Sequence, residues 1–114
     1  MYRTHNLTVH GSTMQTLIFE PEGEGPFPAI VAAQHLPVAH EGLELDPFTL
    51  DVGEKIAAAG YVAVVPFLFH WWPTDLDMMD KAKAWRDDWN IADLNATFEL
   101  TASMANVDTA RIGI

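Results

Sequence analysis

The chain has no cysteine, so it can supply no thiol nucleophile, disulfide or thiolate metal ligand, which fits a reducing compartment. Basic residues are scarce too: six Lys and Arg stand against sixteen Asp and Glu, a net charge of −10. That balance repels phosphate backbones and anionic headgroups, so neither nucleic acid nor a membrane surface is expected as a partner. No apolar run approaches the roughly 20 residues that cross a bilayer, and Met1-Tyr2-Arg3-Thr4-His5-Asn6 lacks the apolar core of a secretory signal. The expected location is cytoplasmic. Repeats, low-complexity tracts and a second-domain linker are also missing, so the 114 residues are read as a single domain.

What is present is patterned. The stretch Pro28-Ala29-Ile30-Val31-Ala32-Ala33-Gln34-His35 has six apolar positions in a row and leaves no polar face for water. A second such run, Tyr61 to Phe69, follows a helical pattern, and a third begins at Arg111-Ile112-Gly113-Ile114. Short β-branched runs bounded by Gly and Pro and separated by helix predict an α/β domain with a parallel sheet covered on both faces.

Upstream, residues 2–10 and 14–20 alternate and meet at Gly11-Ser12, which reads as a hairpin. Downstream of His35, residues 36–45 show no period, and loops of that length often carry function. Asp46 is placed to cap a helix with Pro47 in its first position and Gly60 as its stop, giving residues 47–59. Leu45 and Leu50 fall at staple positions, and Phe48, Val52, Ile56 and Ala59 are expected to share the buried face. Gly53 in mid-helix suggests close packing on the sheet. Residues 74–105 are expected to be helical, as one bent helix or two. Leu76, Met79, Ala82, Trp85 and Trp89 would form a first apolar stripe, and Ile91, Leu94, Phe98 and Ala105 a second. Val107-Asp108-Thr109-Ala110 would turn the chain into the last strand.

Four phrases carry a resemblance: Gly25-Pro26-Phe27-Pro28-Ala29-Ile30-Val31, the run from Ile56 to Phe69, Asp93-Leu94-Asn95-Ala96, and Val107 to Ile114. In order and spacing they resemble the first half of dienelactone hydrolases. The resemblance implies an N-terminal β-hairpin followed by a parallel β-α-β-α-β portion of an α/β-hydrolase sheet. It further implies an ester or lactone hydrolase when complete, acting on a small ester or lactone without a cofactor. In that family the Arg-Ile-Gly-Ile type strand runs into a turn bearing Cys or Ser, and the Asp and His of the triad come later. That turn would follow Ile114, so the chain alone is expected to be inactive. An edge strand left there would pair with a second copy or with a complementing chain.

The resemblance also implies a role for the loop after the organising strand, which donates a backbone N–H to the oxyanion; by position that donor is Leu36. His35 stands where dienelactone hydrolases place a Glu, and Glu41 is the nearest carboxylate. Phe67 stands where the family commonly has Asp.

His35, His40 and His70 fall at or beyond strand ends, the edge where open α/β sheets bind ligands. With Glu41 they are candidate zinc or iron ligands, but their spacing matches no ligand motif and no metal is expected. Trp71 and Trp72, beside His70, are candidate pocket residues, because adjacent side chains of an extended segment point to opposite faces. A non-catalytic domain binding a small molecule or metal in this cleft is the competing reading. The two serines, Ser12 in the hairpin turn and Ser103 in a helical pattern, lie outside any Gly-x-Ser-x-Gly and read as ordinary surface serines. Asp75, Asp77, Asp80, Asp87 and Asp88 read as solvated helix faces.

Overall fold

Alternation in the N-terminal hairpin decides which side chains reach the interior. In the computed structural model, which describes residues 1–33, 42–73 and 75–114, β1 (Tyr2–Val9) and β2 (Ser12–Phe19) pair antiparallel. Their turn is His10-Gly11, both at positive φ (47° and 80°), the two-residue form whose twist suits a hairpin. Ser12 is therefore not a turn residue but the first of β2, opposite Val9. Period two then puts Ser12, Met14, Thr16 and Ile18 on one face and Leu17 and Phe19 on the other.

Three further strands complete a five-stranded mixed sheet in the order β1-β2-β4-β3-β5. The strands β3 (Phe27–Val31) and β4 (Val62–Pro66) are parallel, and β5 (Val107–Gly113) runs parallel to β3 on its other side. The expected parallel β-α-β-α-β portion is thus present, with the hairpin joined antiparallel through β2 to β4. The second apolar run ends as a strand at Pro66, and after Phe67, whose N–H still bonds Gln15 O at 2.8 Å, Leu68 to Trp72 turn away from the sheet. Residues 107–110 belong to β5 and carry its irregularity: Phe27 faces Val107 but Ala29 faces Ile112. Asp108 accepts the Ala110 N–H there at 3.0 Å, so the turn-like sequence makes a bulge inside the strand.

The helix α1 (Pro47–Ala58) links β3 to β4, whereas α2 (Met78–Lys83) and α3 (Asp87–Ser103) link β4 to β5. The two connections run in opposite directions across the sheet, so right-handed crossovers place their helices on opposite faces. Leu50 and Ile56 of α1 accordingly pack on Leu17, Phe19, Ala63 and Val65. Leu100 of α3 and Met104, just after its end, pack on Ile18, Ala29, Val62, Val64 and Val107.

Asp46 caps α1 as expected, accepting the Thr49 N–H at 3.0 Å, and Gly60 follows the helix at φ +95°. The buried face differs from the expected one. It consists of Thr49, Gly53 and Ala57, while Phe48 and Leu45 are exposed and no buried staple forms. Gly53 is the reason: a Cβ there would sit 2.4 Å from the Phe19 ring, so the helix approaches on its small residues. Val52 lines an open groove of about 310 Å³ with Ile30, Ala59 and Tyr61, and Ile56 borders that groove while also packing on the core.

On the other face, the described residues 75–105 contain two helices, Met78–Lys83 and Asp87–Ser103, rather than one. Asp77 caps α2 through the Met79 N–H at 3.0 Å, and Arg86 precedes α3 with no side-chain cap. The buried residues of α3 are Asp93, Thr97 and Thr101, not the expected stripe, and Ile91 is exposed. Thr97 and Thr101 return their hydroxyls to the carbonyls of Asp93 and Thr97, at 2.8 and 2.7 Å, which satisfies them in the interface.

Candidate functional site

The parallel strands β3 and β4 end at one edge, and the segment after β4 delivers His70, Trp71 and Trp72 to it. Residues 34–41, which follow β3, lie outside the described residues, and with them His35, Leu36, His40 and Glu41. The part of the site that the structure describes is therefore built on β4, β2 and α3.

His70 is its centre. The side chain is 2% exposed and both ring nitrogens are engaged. Nε2 lies 2.7 Å from Asp93 Oδ1, and Nδ1 lies 2.7 Å from Ser12 Oγ. Asp93 is fully buried and its other oxygen accepts the Trp71 indole N–H at 2.9 Å. A buried carboxylate needs such donors, because leaving it unpaired in a low-dielectric interior costs several kcal/mol. A carboxylate at Asp93 can only accept, which calls for a proton on Nε2, and a neutral imidazole of that tautomer has Nδ1 as the acceptor for the Ser12 hydroxyl. The imidazole thus has no free nitrogen for a metal ion. Among the described residues, no three His, Cys, Asp or Glu side chains are grouped to hold one.

The tryptophans close over this polar chain. Trp71 stacks on Trp89 with centroids 4.7 Å apart, and Trp72 stacks on Trp85 at 6.0 Å. Phe69 meets Trp85 at 5.4 Å, and the Arg86 guanidinium lies 4.4 Å above the Trp89 ring. Trp71 and Trp72 therefore pack against Trp89 and Trp85, which were expected to form part of a single stripe on one helix. The acidic cluster is exposed, as expected. The hydrogen bond from Arg86 holds the Asp88 carboxyl below its ordinary range.

Ser12 is the residue that sequence reasoning passed over. Its partner lies 58 positions away, and the contact depends on β2 lying beside β4. One signal was available: alternation sets Ser12 on the face of Met14 and Ile18, where α3 and Asp93 lie. Ser103, by contrast, bonds its own helix at Leu100 O (2.6 Å) and is the exposed surface serine that was expected.

Comparison with known proteins agrees with this architecture. The sequence profile of the dienelactone hydrolase family matches residues 14–114. No curated protein is matched by the sequence. Among solved structures, a Klebsiella pneumoniae protein designated a dienelactone hydrolase superposes with a TM-score of 0.73 and 20% identity, over 100% of this chain and 50% of its own. A dienelactone hydrolase-like promiscuous phosphotriesterase from metagenomic libraries gives 0.74 at 13% identity, over 100% of this chain and 48% of its own. A cold-adapted esterase from an Arctic intertidal metagenomic library gives 0.63 at 20% identity, over 90% and 44%. The chain spans about half the length of these structures.

Proposed function

The chain belongs to the dienelactone hydrolase family, and from that premise we propose that it is the first half of an ester or lactone hydrolase whose nucleophile and triad partners are carried by sequence following β5. The observation that carries this reading is the match over residues 14–114, together with a β4-β3-β5 order that brings the last strand next to the first parallel one. On this proposal β5 leads toward the nucleophile turn, and the family resemblance would have Leu36 offer its backbone N–H to the oxyanion and His35 and Glu41 stand near the reacting group. The half-buried Trp71 and Trp72 border the substrate side, and the His70 side chain, 2% exposed, lies behind them rather than against substrate. No step of the chemistry needs a cofactor, because a serine or cysteine nucleophile with a histidine base suffices for acyl transfer.

The test compares chromogenic ester turnover by the 114-residue chain with that of a chain extended by the second half of a related hydrolase. The chain alone is expected to show no multiple turnover, and the extended protein to show it. Leu36→Pro in the extended protein removes the donor N–H and is expected to lower kcat by about 10² to 10³. An inactive, folded extension or full turnover by the chain alone would overturn the reading.

The same premise supports association. Among the described residues β5 is paired on one side only, with β3, and an open edge strand is a template for another chain. We propose that β5 pairs with complementing strands or with a second copy. Sedimentation of the chain alone is then expected to show concentration-dependent association, and a stable monomer would refute this.

A further inference from the structure

We infer that Ser12 is a reactive nucleophile in its own right, activated by His70 and Asp93 toward acyl and phosphonyl electrophiles. A serine hydroxyl is a weak nucleophile unless a base lies within hydrogen-bond reach and a third group orients that base. Both conditions are met, by residues from three separate parts of the chain. Ser12 Oγ is 2.7 Å from His70 Nδ1, and His70 Nε2 is 2.7 Å from Asp93 Oδ1. Trp71 fixes the second carboxylate oxygen at 2.9 Å. The imidazole cannot turn away, because its side chain is 2% exposed and both nitrogens are held. The hydroxyl has a second acceptor in the His70 carbonyl at 3.3 Å, but the nitrogen is the nearer one.

Reach from outside is available. Ser12 itself is half-buried, and its neighbours His10, Gly11 and Thr13 are exposed. A side chain built on Gly11 would meet no heavy atom within 4 Å outside its chain neighbours, so the turn that carries Ser12 is uncrowded. The inference does not rest on the proposed hydrolase, whose nucleophile would lie after β5.

With a fluorophosphonate the step balances simply. Ser12 Oγ forms a bond to phosphorus, fluoride leaves with the P–F electron pair, and the hydroxyl proton passes to His70 Nδ1, where Asp93 offsets the imidazolium charge. With an activated ester, Oγ bonds to the carbonyl carbon and the alcohol leaves carrying that proton. The claim is acylation of one serine, not repeated turnover.

The test is fluorophosphonate labelling of the full chain, read by intact mass and peptide mapping, with Ser103 as the internal control. One adduct is expected, on Ser12, forming at least about 100-fold faster than any on Ser103, the range that a positioned general base supplies. Ser12→Ala should abolish it. His70→Gln and Asp93→Asn should slow it by a similar factor, with circular dichroism confirming that each variant is folded. Should Asp93→Asn fail to fold, His70→Gln alone decides. An unlabelled Ser12, a rate no greater than that of Ser103, or an unchanged rate in folded His70→Gln would each overturn the inference and leave the three residues as a structural tie. In an extended chain the Ser12 peptide is distinct from any nucleophile after β5, so failure here is separable from failure of the proposed function.

Discussion

The two faces of the sheet solve one packing problem with different chemistry. Both helices approach on small or short residues four apart, Thr49, Gly53 and Ala57 on α1 and Asp93, Thr97 and Thr101 on α3. On the α1 side the space is filled by the Phe19 ring, and the interface is held by volume. On the α3 side, at the strand-end edge, it is filled by a hydrogen-bonded chain from Ser12 through His70 to Asp93. Volume tolerates no added atom but needs no charge. A polar chain tolerates small shifts, but it fails if one partner is removed. The buried polar chain of His70 and Asp93 thus lies at the strand-end edge, while on the opposite face the buried polar pair Asp46 and Thr49 caps the helix.

The largest effects should come from the volume-filled side. Phe19→Ala empties a fully buried ring position and is expected to cost about 3 to 5 kcal/mol in urea unfolding. Gly53→Ala alone should cost about 1 to 3 kcal/mol, because its Cβ meets the Phe19 ring at 2.4 Å and overpacking outweighs the helix propensity gain. In the Phe19→Ala background the clash is gone, so the same change should become neutral or stabilising by up to about 1 kcal/mol. Additive costs would mean that the close approach is not what holds α1.

On the polar side the expected order reverses with chemistry rather than size. Asp93→Ala strands the His70 and Trp71 donors and should cost about 3 kcal/mol, with a change in tryptophan fluorescence as the Trp71 to Trp89 stack loosens. Thr16 is on the same face, fully buried, and its hydroxyl has no partner among the described residues. Thr16→Val keeps the shape and removes the stranded group, so it should stabilise by about 1 kcal/mol. A loss instead would show that the hydroxyl is bonded in solution.

The difference between the faces also explains what was readable from the chain. Strand runs, the Asp46 cap with Pro47 and the stop at Gly60 follow from local chemistry, so they were legible. The buried faces of the helices were not. Periodicity weights large apolar residues, and here Phe48 and Ile91 face outward because Gly53 and Thr97 allow a closer approach. The Ser12 contact was hidden for a topological reason. Nothing local to Ser12 indicates that β2 will lie beside β4, and only that placement brings its hydroxyl to His70.

The smallest effect tests the edge opposite the site, where neither volume nor a buried chain operates. Glu20 ends this part of the fold with bonds from Arg3 on β1 at 2.8 Å and from Asn106, just before β5, at 2.6 Å. Burial pushes its carboxyl up, but these two hydrogen bonds and the Arg3 charge outweigh that, and the net shift is downward. A carboxyl with a lowered folded pKa contributes stability that is complete above its unfolded value near 4.5 and is lost as pH falls through the lower folded value. Glu20→Gln should therefore flatten the acid limb of stability below about pH 4.5, with a loss under about 1 kcal/mol at pH 7, since the pair is partly exposed to solvent. Added salt should shrink that loss further, whereas the cost of Asp93→Ala, shielded from solvent, should stay nearly constant. Equal salt sensitivity at both positions would remove the distinction between a solvated tie and a buried one.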